Sequence, residues 1–169
     1  MDTYETIMTR RSVRKFTSGE VGDNLVEKLL RAAMQAPSAN NGQPWHFIVI
    51  RDRAILDEIP SFHPFAQMVK QAPLAILVCA DTRDARSPDY WVLDCSAATE
   101  NLLLAAHALD LGAVWLGIHP RQERMEKIIP LVKLPEGVKP LALVAIGIPA
   151  EHHPFADRFK PERIHHDTW

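Results

Sequence analysis

Apolar residues recur at helical spacing in two long stretches of the chain. In the first, residues 25–34 carry an apolar stripe that follows Asp23 or Asn24, either of which is a suitable N-cap for a helix. In the second, residues 90–111 are apolar on nearly every side, and Gly112 follows as the natural C′ residue. A helix of this second kind is buried on most of its sides, and we expect a partner subunit to cover one of them.

Uninterrupted apolar runs predict four strands, at residues 47–50, 74–80, 113–116 and 141–148. The run at 74–80 does not alternate with polar residues, so this strand is expected to be covered on both faces of a sheet. Shorter helices are predicted from Asp2 to about Thr9, from Asp52 to Pro60, from Pro64 to about Gln71 and from Pro120 onward.

The order of these elements predicts an α+β fold with a mixed, mainly antiparallel central sheet flanked by helices. Residues 1–169 fit a single domain, because no repeat, linker or low-complexity segment divides them. Residues 150–169 lack periodicity, and a tail of this kind is ordered only when it docks on something. We expect it to dock on a partner subunit.

Composition and charge exclude several classes of protein. Hydrophobic residues make up 47% of the chain and charged residues 24%, which excludes a disordered chain. Nineteen Lys and Arg residues against 21 Asp and Glu give a net charge of −2, which argues against a nucleic-acid-binding protein. The two cysteines lie in apolar segments, and neither a signal peptide nor a membrane-spanning run is visible. A cytoplasmic protein without a membrane partner is therefore predicted.

Familiar catalytic motifs are missing from the sequence. With only seven glycines, the chain has neither a dinucleotide-binding fingerprint nor a Walker loop. The adjacent histidines at 152–153 and 165–166 lack the spacing that brings two imidazoles to one metal ion, so no metal site is predicted.

Three guanidinium groups and a hydroxyl lie within five residues at Arg10, Arg11, Ser12 and Arg14. Arginine is the preferred side chain for bidentate phosphate binding, so this cluster is a candidate phosphate site. The alternative is a solvated, charged connector between two elements.

Two further segments could hold a ligand. The loop at residues 37–45 (PSANNGQPW) offers many hydrogen-bonding groups between rigid prolines, as a planar heterocycle needs, although an ordinary polar turn has the same composition. Gly117 ends an apolar strand, where a glycine lets a ligand approach the backbone closely or simply terminates the strand.

Together these segments resemble the nitroreductase-like flavoproteins, and most closely their small members. The resemblance is carried by RRSVRKF, by APSANNGQPWHF about 25 residues later, by the long apolar helix, by VWLGI and by the ending DRFKPERIHHDTW. It extends from about residue 3 to the C-terminus. It implies an intertwined homodimer with two FMN sites at the subunit interface.

The resemblance also implies roles for individual residues. Arg10, Arg11 and Ser12 would contact the phosphate and ribityl chain, Arg14 the pyrimidine edge of the ring, and Arg158 would complete the phosphate clamp with Lys160 as a helper. Pro37, Ser38 and Ala39 would come from the other subunit, with Asn41 and Gln43 holding the loop or the ring. Leu116 and Gly117 would offer backbone near flavin N5. At residues 63–71, larger members place amide and lysine side chains against the ring, whereas here only Gln67 and Lys70 are polar candidates.

The implied function is an FMN-dependent NAD(P)H oxidoreductase. It would transfer hydride through flavin N5 to nitroaromatic, quinone or similar electron-poor acceptors by a ping-pong mechanism, and no protein nucleophile is required. A narrow reductase acting on an enone or halogenated aromatic, and a non-catalytic FMN-binding module, are the alternatives. The choice between NADH and NADPH and the physiological acceptor stay open.

Overall fold

The structure is a computed structural model that describes residues 1–83 and 86–169. Among these residues the α-helices are α1 (Thr3–Thr9), α2 (Asp23–Met34), α3 (Arg53–Phe62), α4 (Trp91–Ala108) and α5 (Gln122–Leu131). The strands are β1 (Trp45–Ile50), β2 (Leu74–Asp81), β3 (Gly112–Gly117) and β4 (Val138–Gly147). All four predicted strands are present, with ends displaced by up to three residues.

The four strands form one sheet in the order β1-β2-β4-β3. Every strand pair in the described part of the chain is antiparallel, with a bulge in β2 between Val78 and Cys79. The predicted α+β class and mainly antiparallel sheet are therefore confirmed. Strand β3 lies at an edge of the sheet, so half of its backbone N–H and C=O groups point away from β4.

Successive residues of β2 enter two different hydrophobic cores. Leu74, Ile76 and Val78 pack on one face of the sheet against α2 and α4. Leu77 and its neighbours on the opposite face pack against α3 and α5. This coverage of both faces explains why the strand is apolar at every position, as the sequence predicted.

Two predicted helix caps are confirmed and two are wrong. The Asp2 carboxylate accepts the Glu5 N–H at 2.8 Å, and Asp52 accepts the Ala54 N–H at 2.9 Å. Helix α2, however, has Gly22 as its N-cap. Helix α4 ends at Ala108, and Asp110 is the left-handed residue after it (φ 58°).

The Leu111 N–H binds the Ala106 carbonyl and the Asp110 N–H binds the His107 carbonyl, which is the Schellman pattern. Aspartate tolerates the left-handed region better than most residues. Gly112 is therefore not a helix cap but the first residue of β3. An added Cβ there would lie 2.7 Å from Val13 Cγ1, so the glycine permits a close contact.

Three helix boundaries that were predicted from the positions of prolines are wrong. Helix α3 continues two residues past Pro60, because Pro60 is buried together with Ile59 and only the final turn loses a hydrogen bond. The segment after Pro64 forms only a short 3₁₀ turn at Gln67–Lys70. Helix α5 begins at Gln122 rather than at Pro120, with Arg121 as its N-cap.

The last part of the chain leaves the sheet after an isolated bridge between Phe16 and Pro149. Residues 152–169 are all exposed, including the large side chains of Phe155, Phe159 and Trp169. Within the part of the chain that the structure describes, no helix has the length and apolar character needed to cross a membrane.

We expect Ile76→Ala to lower the free energy of unfolding by about 2–5 kcal/mol, because it leaves a cavity at a fully buried position of β2. Ile76→Val removes a single methylene and should cost about 0.5–1.5 kcal/mol. Urea unfolding at one protein concentration measures both. Equal stability of the wild type and Ile76→Ala would contradict the assignment of Ile76 to the core.

Candidate active site

A cavity of about 490 Å³ lies between α1 and the C-terminal tail, and we call it the tail cavity. Arg10, Arg11 and Arg158 line it together with Tyr4, Ile7, Met8 and residues 155–159 of the tail. The structure thus brings three of the predicted phosphate ligands together from segments almost 150 residues apart. Ser12 and Lys160 do not line this cavity.

Arg11, one of the three arginines of the tail cavity, is held by backbone carbonyl groups. Arg11 Nη1 donates to the Arg10 carbonyl at 2.7 Å and to the Met8 carbonyl at 3.3 Å. Its Nη2 lies 3.5 Å from the Ala156 carbonyl of the tail. Arg11 and Arg158 have no carboxylate at ion-pair distance among the described residues. Their positive charge is therefore available to an anion.

Two carboxylates lie close to this group. Glu100 Oε1, on α4, is 3.5 Å from Arg10 Nε and orients that side chain. Asp157 also lines the cavity, and its Oδ1 accepts the Phe159 N–H at 2.9 Å. The three guanidinium groups outnumber these two carboxylates, so the net charge around the cavity is positive.

A second cavity, of about 460 Å³, lies at the outer edge of β3, and we call it the edge cavity. It contains three other predicted site residues, Arg14, Leu116 and Gly117, and also Gln67 of the segment that the sequence left uncertain. Lys70 does not line it. Its remaining lining residues are His63, Pro64, Phe65, Met68, Val114, Trp115 and Arg124.

The backbone of Gly117 faces the edge cavity. The Ile118 N–H binds the Leu141 carbonyl of β4, so the alternation of an antiparallel pair turns the N–H and C=O of Gly117 away from β4. Its carbonyl accepts Arg124 Nη1 at 2.6 Å and lies 3.1 Å from His63 Nε2. An added Cβ at Gly117 would meet only the His119 carbonyl, at 3.8 Å, so a ligand has room beside this backbone.

His63 is an almost completely buried histidine in the wall of the edge cavity. Burial and the neighbouring charge of Arg124 lower the pKa of His63 below its ordinary value. The ring is therefore neutral at pH 7. His63 Nδ1 and Arg124 Nε are both buried without a hydrogen-bond partner among the described residues.

The predicted loop at residues 37–43 lines neither cavity, and its polar groups bind one another or neighbouring segments, as Asn40 Nδ2 does in donating to Ser87 Oγ at 2.8 Å. Ser38 Oγ accepts the Gln43 N–H at 3.0 Å, and Asn41 Oδ1 accepts Gln43 Nε2 at 3.0 Å. The buried carboxylate of Asp94, on α4, accepts the Ala39 N–H at 2.9 Å. Asn41 and Gln43 have positive φ values of 50° and 48°. The loop is thus a rigid unit that does not reach either cavity within one protomer, and Pro37 is exposed on it.

Sequence reasoning missed five residues that contact the predicted site residues: Glu100, Asp94, His63, Arg124 and Glu151. Glu151 Oε1 accepts the Arg14 N–H at 2.6 Å, which lowers the pKa of that carboxyl group. All five contact groups far away in sequence, so no local pattern marks them. Among residues 1–83 and 86–169, no set of three or more histidines, cysteines or acidic residues is arranged to hold a metal ion.

Comparison with known proteins gives concordant matches. Residues 7–148 match the model of the nitroreductase family. The chain is similar to a protein of Methanothermobacter thermautotrophicus named "Putative NADH dehydrogenase/NAD(P)H nitroreductase", with 50% identity over 100% of this chain and 88% of the relative. A crystal structure of a protein of the same name from Parabacteroides distasonis has 41% identity and a TM-score of 0.95, and the match covers 99% of this chain and 98% of that one.

A further solved structure was determined with a bound ligand. It is "a putative nitroreductase in complex with FMN" from Desulfovibrio desulfuricans. Its identity to this chain is 32% and its TM-score 0.85, and the match covers 100% of this chain and 98% of that one.

We expect acid to destabilise the fold through His63. Because the pKa of His63 in the folded protein lies below the ordinary 6.5, the unfolded chain binds a proton that the folded chain does not, as the pH falls below about 6.5. The free energy of unfolding should therefore fall between pH 7 and pH 5, and less steeply in His63→Gln. Urea unfolding across this pH range measures the slope, and His165→Gln, on the exposed tail, controls for the loss of a histidine. Identical slopes for wild type and His63→Gln would exclude this role.

Proposed function

The chain belongs to the nitroreductase family, and from this premise we propose that it is an FMN-dependent NAD(P)H oxidoreductase. In this proposal it passes hydride from a nicotinamide to nitroaromatic, quinone or similar electron-poor acceptors by a ping-pong mechanism. The observation that carries the proposal is the grouping of Arg10, Arg11 and Arg158 around one cavity, with Arg14 and the Gly117 backbone around another.

The chemistry of the tail cavity fits the phosphate of FMN. A phosphate monoester carries nearly two negative charges at pH 7, and guanidinium groups bind its oxygens through paired N–H donors. Arg11 is already fixed by two carbonyl groups of its own connector, and Arg10 by Glu100. Because these side chains are ordered before binding, little side-chain entropy is lost when the phosphate arrives.

The chemistry of the edge cavity fits a flavin ring. The Gly117 N–H can donate to a ring nitrogen, and the Arg14 guanidinium can stabilise negative charge at the pyrimidine edge. Gln67 adds an amide that can both donate and accept. FMN, when bound, supplies the hydride chemistry, whereas the protein supplies orientation and electrostatics.

The protein's own thiols do not suit covalent catalysis. Cys79 and Cys95 are fully buried, and burial raises the pKa of each thiol to about 12. A buried, protonated thiol is a poor nucleophile. This agrees with a reaction in which the bound cofactor, and not a side chain, carries the reacting group.

We propose further that the protein is an intertwined homodimer with two shared FMN sites. In this arrangement residues 1–169 form one domain, and the tail from 150 to 169 docks on the partner. Support comes from the exposed Phe155, Phe159 and Trp169, since large apolar side chains concentrated on one segment mark an interface. The loop with Pro37, Ser38 and Ala39 would then reach the FMN site of the partner.

The first test of the function is cofactor binding. The purified protein should bind about one FMN per chain and oxidise NAD(P)H with a nitroaromatic or quinone acceptor. Arg158→Gln should weaken FMN binding roughly 10- to 100-fold, because it removes a charged hydrogen bond to phosphate. Arg163→Gln, on the same exposed tail but outside the cavity, is the matched control, and fluorescence titration of FMN measures both. A chain that binds no FMN would refute the proposal.

The second test is a hybrid dimer of one Arg10→Ala chain and one Ser38→Ala chain. If each site takes Arg10 from one subunit and the loop from the other, the hybrid has one doubly altered site and one intact site. Half of its FMN should then bind with wild-type affinity, whereas each homodimeric variant binds weakly. Two weakened sites in the hybrid would show that each site lies within one chain.

A further inference from the structure

Arg124 is the second guanidinium group of the edge cavity, and the proposed function gives it no task. It lies in the first turn of α5, and its Nη1 donates to the Gly117 carbonyl at 2.6 Å. Its guanidinium carbon is 5.8 Å from the centroid of the Phe65 ring. The side chain is therefore held at a defined place, between the Gly117 backbone and an aromatic ring.

The charge of the edge cavity is unbalanced. Its lining, as far as residues 1–83 and 86–169 form it, includes two guanidinium groups, Arg14 and Arg124, and no carboxylate. Neither group has an acidic partner at ion-pair distance in the part of the chain described. His63, beside Arg124, cannot compensate the charge, and the buried Nε of Arg124 has no acceptor among the residues that the structure describes. Two positive charges thus face this cavity, whereas the flavin ring would use only one of them, the charge of Arg14.

Phe65 gives the same wall an apolar surface. Its side chain is 70% exposed, although it stands directly beside Arg124. An exposed phenyl ring next to a guanidinium group suits a ligand that has an aromatic ring and, at its edge, a planar anion. Carboxylate is a planar anion to which arginine donates charge-assisted hydrogen bonds. Nη2 of Arg124 would be the donor, because Nη1 binds the Gly117 carbonyl and Nε is buried.

We propose that Arg124 and Phe65 form the recognition site for the acceptor, and that the preferred acceptors are electron-poor aromatic compounds carrying a carboxylate. The aromatic ring would pack on Phe65 while the carboxylate binds Arg124. This inference rests on the proposed function, because it assumes that FMN fills the part of the edge cavity next to Arg14.

The test compares 4-nitrobenzoate with its neutral isostere 4-nitrobenzamide on the FMN-loaded protein. Binding is followed without NAD(P)H by the change in the visible spectrum of the bound FMN, and turnover by NADH oxidation. The wild type should bind and reduce 4-nitrobenzoate better than 4-nitrobenzamide. Arg124→Gln should weaken 4-nitrobenzoate binding roughly 10- to 100-fold and affect 4-nitrobenzamide little, since only the former loses a charged hydrogen bond.

Two further variants separate charge recognition from other effects. Arg124→Lys keeps the charge but loses the planar guanidinium group, and should retain part of the preference. Arg121→Gln removes the same charge one turn earlier at an exposed position outside the cavity, and should keep the full preference. Arg124→Gln also removes the contact with the Gly117 carbonyl, and the variant could lose FMN for that reason. In that case the preference for 4-nitrobenzoate, measured in the wild type and in Arg124→Lys, still tests the inference.

Equal binding of the two compounds by the wild type would overturn the inference, as would equal weakening of both in Arg124→Gln. The inference would also be overturned if Arg124→Gln changed only the ratio of NADPH to NADH use. Arg124 would then bind an anionic group of the electron donor and not of the acceptor. These failures are distinct from failure of the proposed function, in which the wild type would bind no FMN or oxidise no NAD(P)H.

Discussion

The hydrogen bond from the Val13 N–H to the Ala113 carbonyl, 3.0 Å long, fixes the arginine-rich segment of residues 10–16 against the open edge of β3. It depends on the absence of a side chain at Gly112, which Val13 contacts closely. Arg11 precedes this anchor and lines the tail cavity, whereas Arg14 follows it and lines the edge cavity. Since three residues span at most about 11 Å, the backbones of Arg11 and Arg14 lie within that distance of each other, and the linings of the two cavities are therefore joined by one short segment.

The charges around the two cavities reflect local arrangement and not the composition of the chain. The net charge is −2, yet four guanidinium groups, those of Arg11, Arg14, Arg124 and Arg158, lack a carboxylate at ion-pair distance within the described ranges. Like charges held near each other repel, which lowers the stability of the folded chain. An anionic ligand that binds only the folded state removes this repulsion and adds its own binding free energy to stability. The folded chain is therefore expected to be less stable without an anionic ligand at this site than with one.

Sequence patterns predicted the parts of the structure that local physics determines. Strand β2 could be recognised because burial on both faces requires an apolar residue at every position. The Asp2 and Asp52 caps could be recognised because each carboxylate binds an N–H within three residues. Gly112 was misassigned because the sequence alone does not distinguish a glycine that caps a helix from a glycine that makes room for a closely packed valine. Arg124 and His63 lie 61 residues apart, and nothing local distinguishes them from a solvated arginine or an ordinary core histidine.

The loop at residues 37–43 shows why its polar motif cannot be understood residue by residue. Ser38 and Asn41 supply acceptors that fix the loop through Gln43, and Asp94 holds Ala39 from α4, so these side chains are occupied before any ligand is present. Left-handed backbone at several of these residues costs free energy that the internal hydrogen bonds offset. What the loop presents is thus a preformed surface. A cofactor bound between two subunits would meet a loop that is already ordered. The conformational entropy of the loop is therefore lost when the chain folds and not when the cofactor binds.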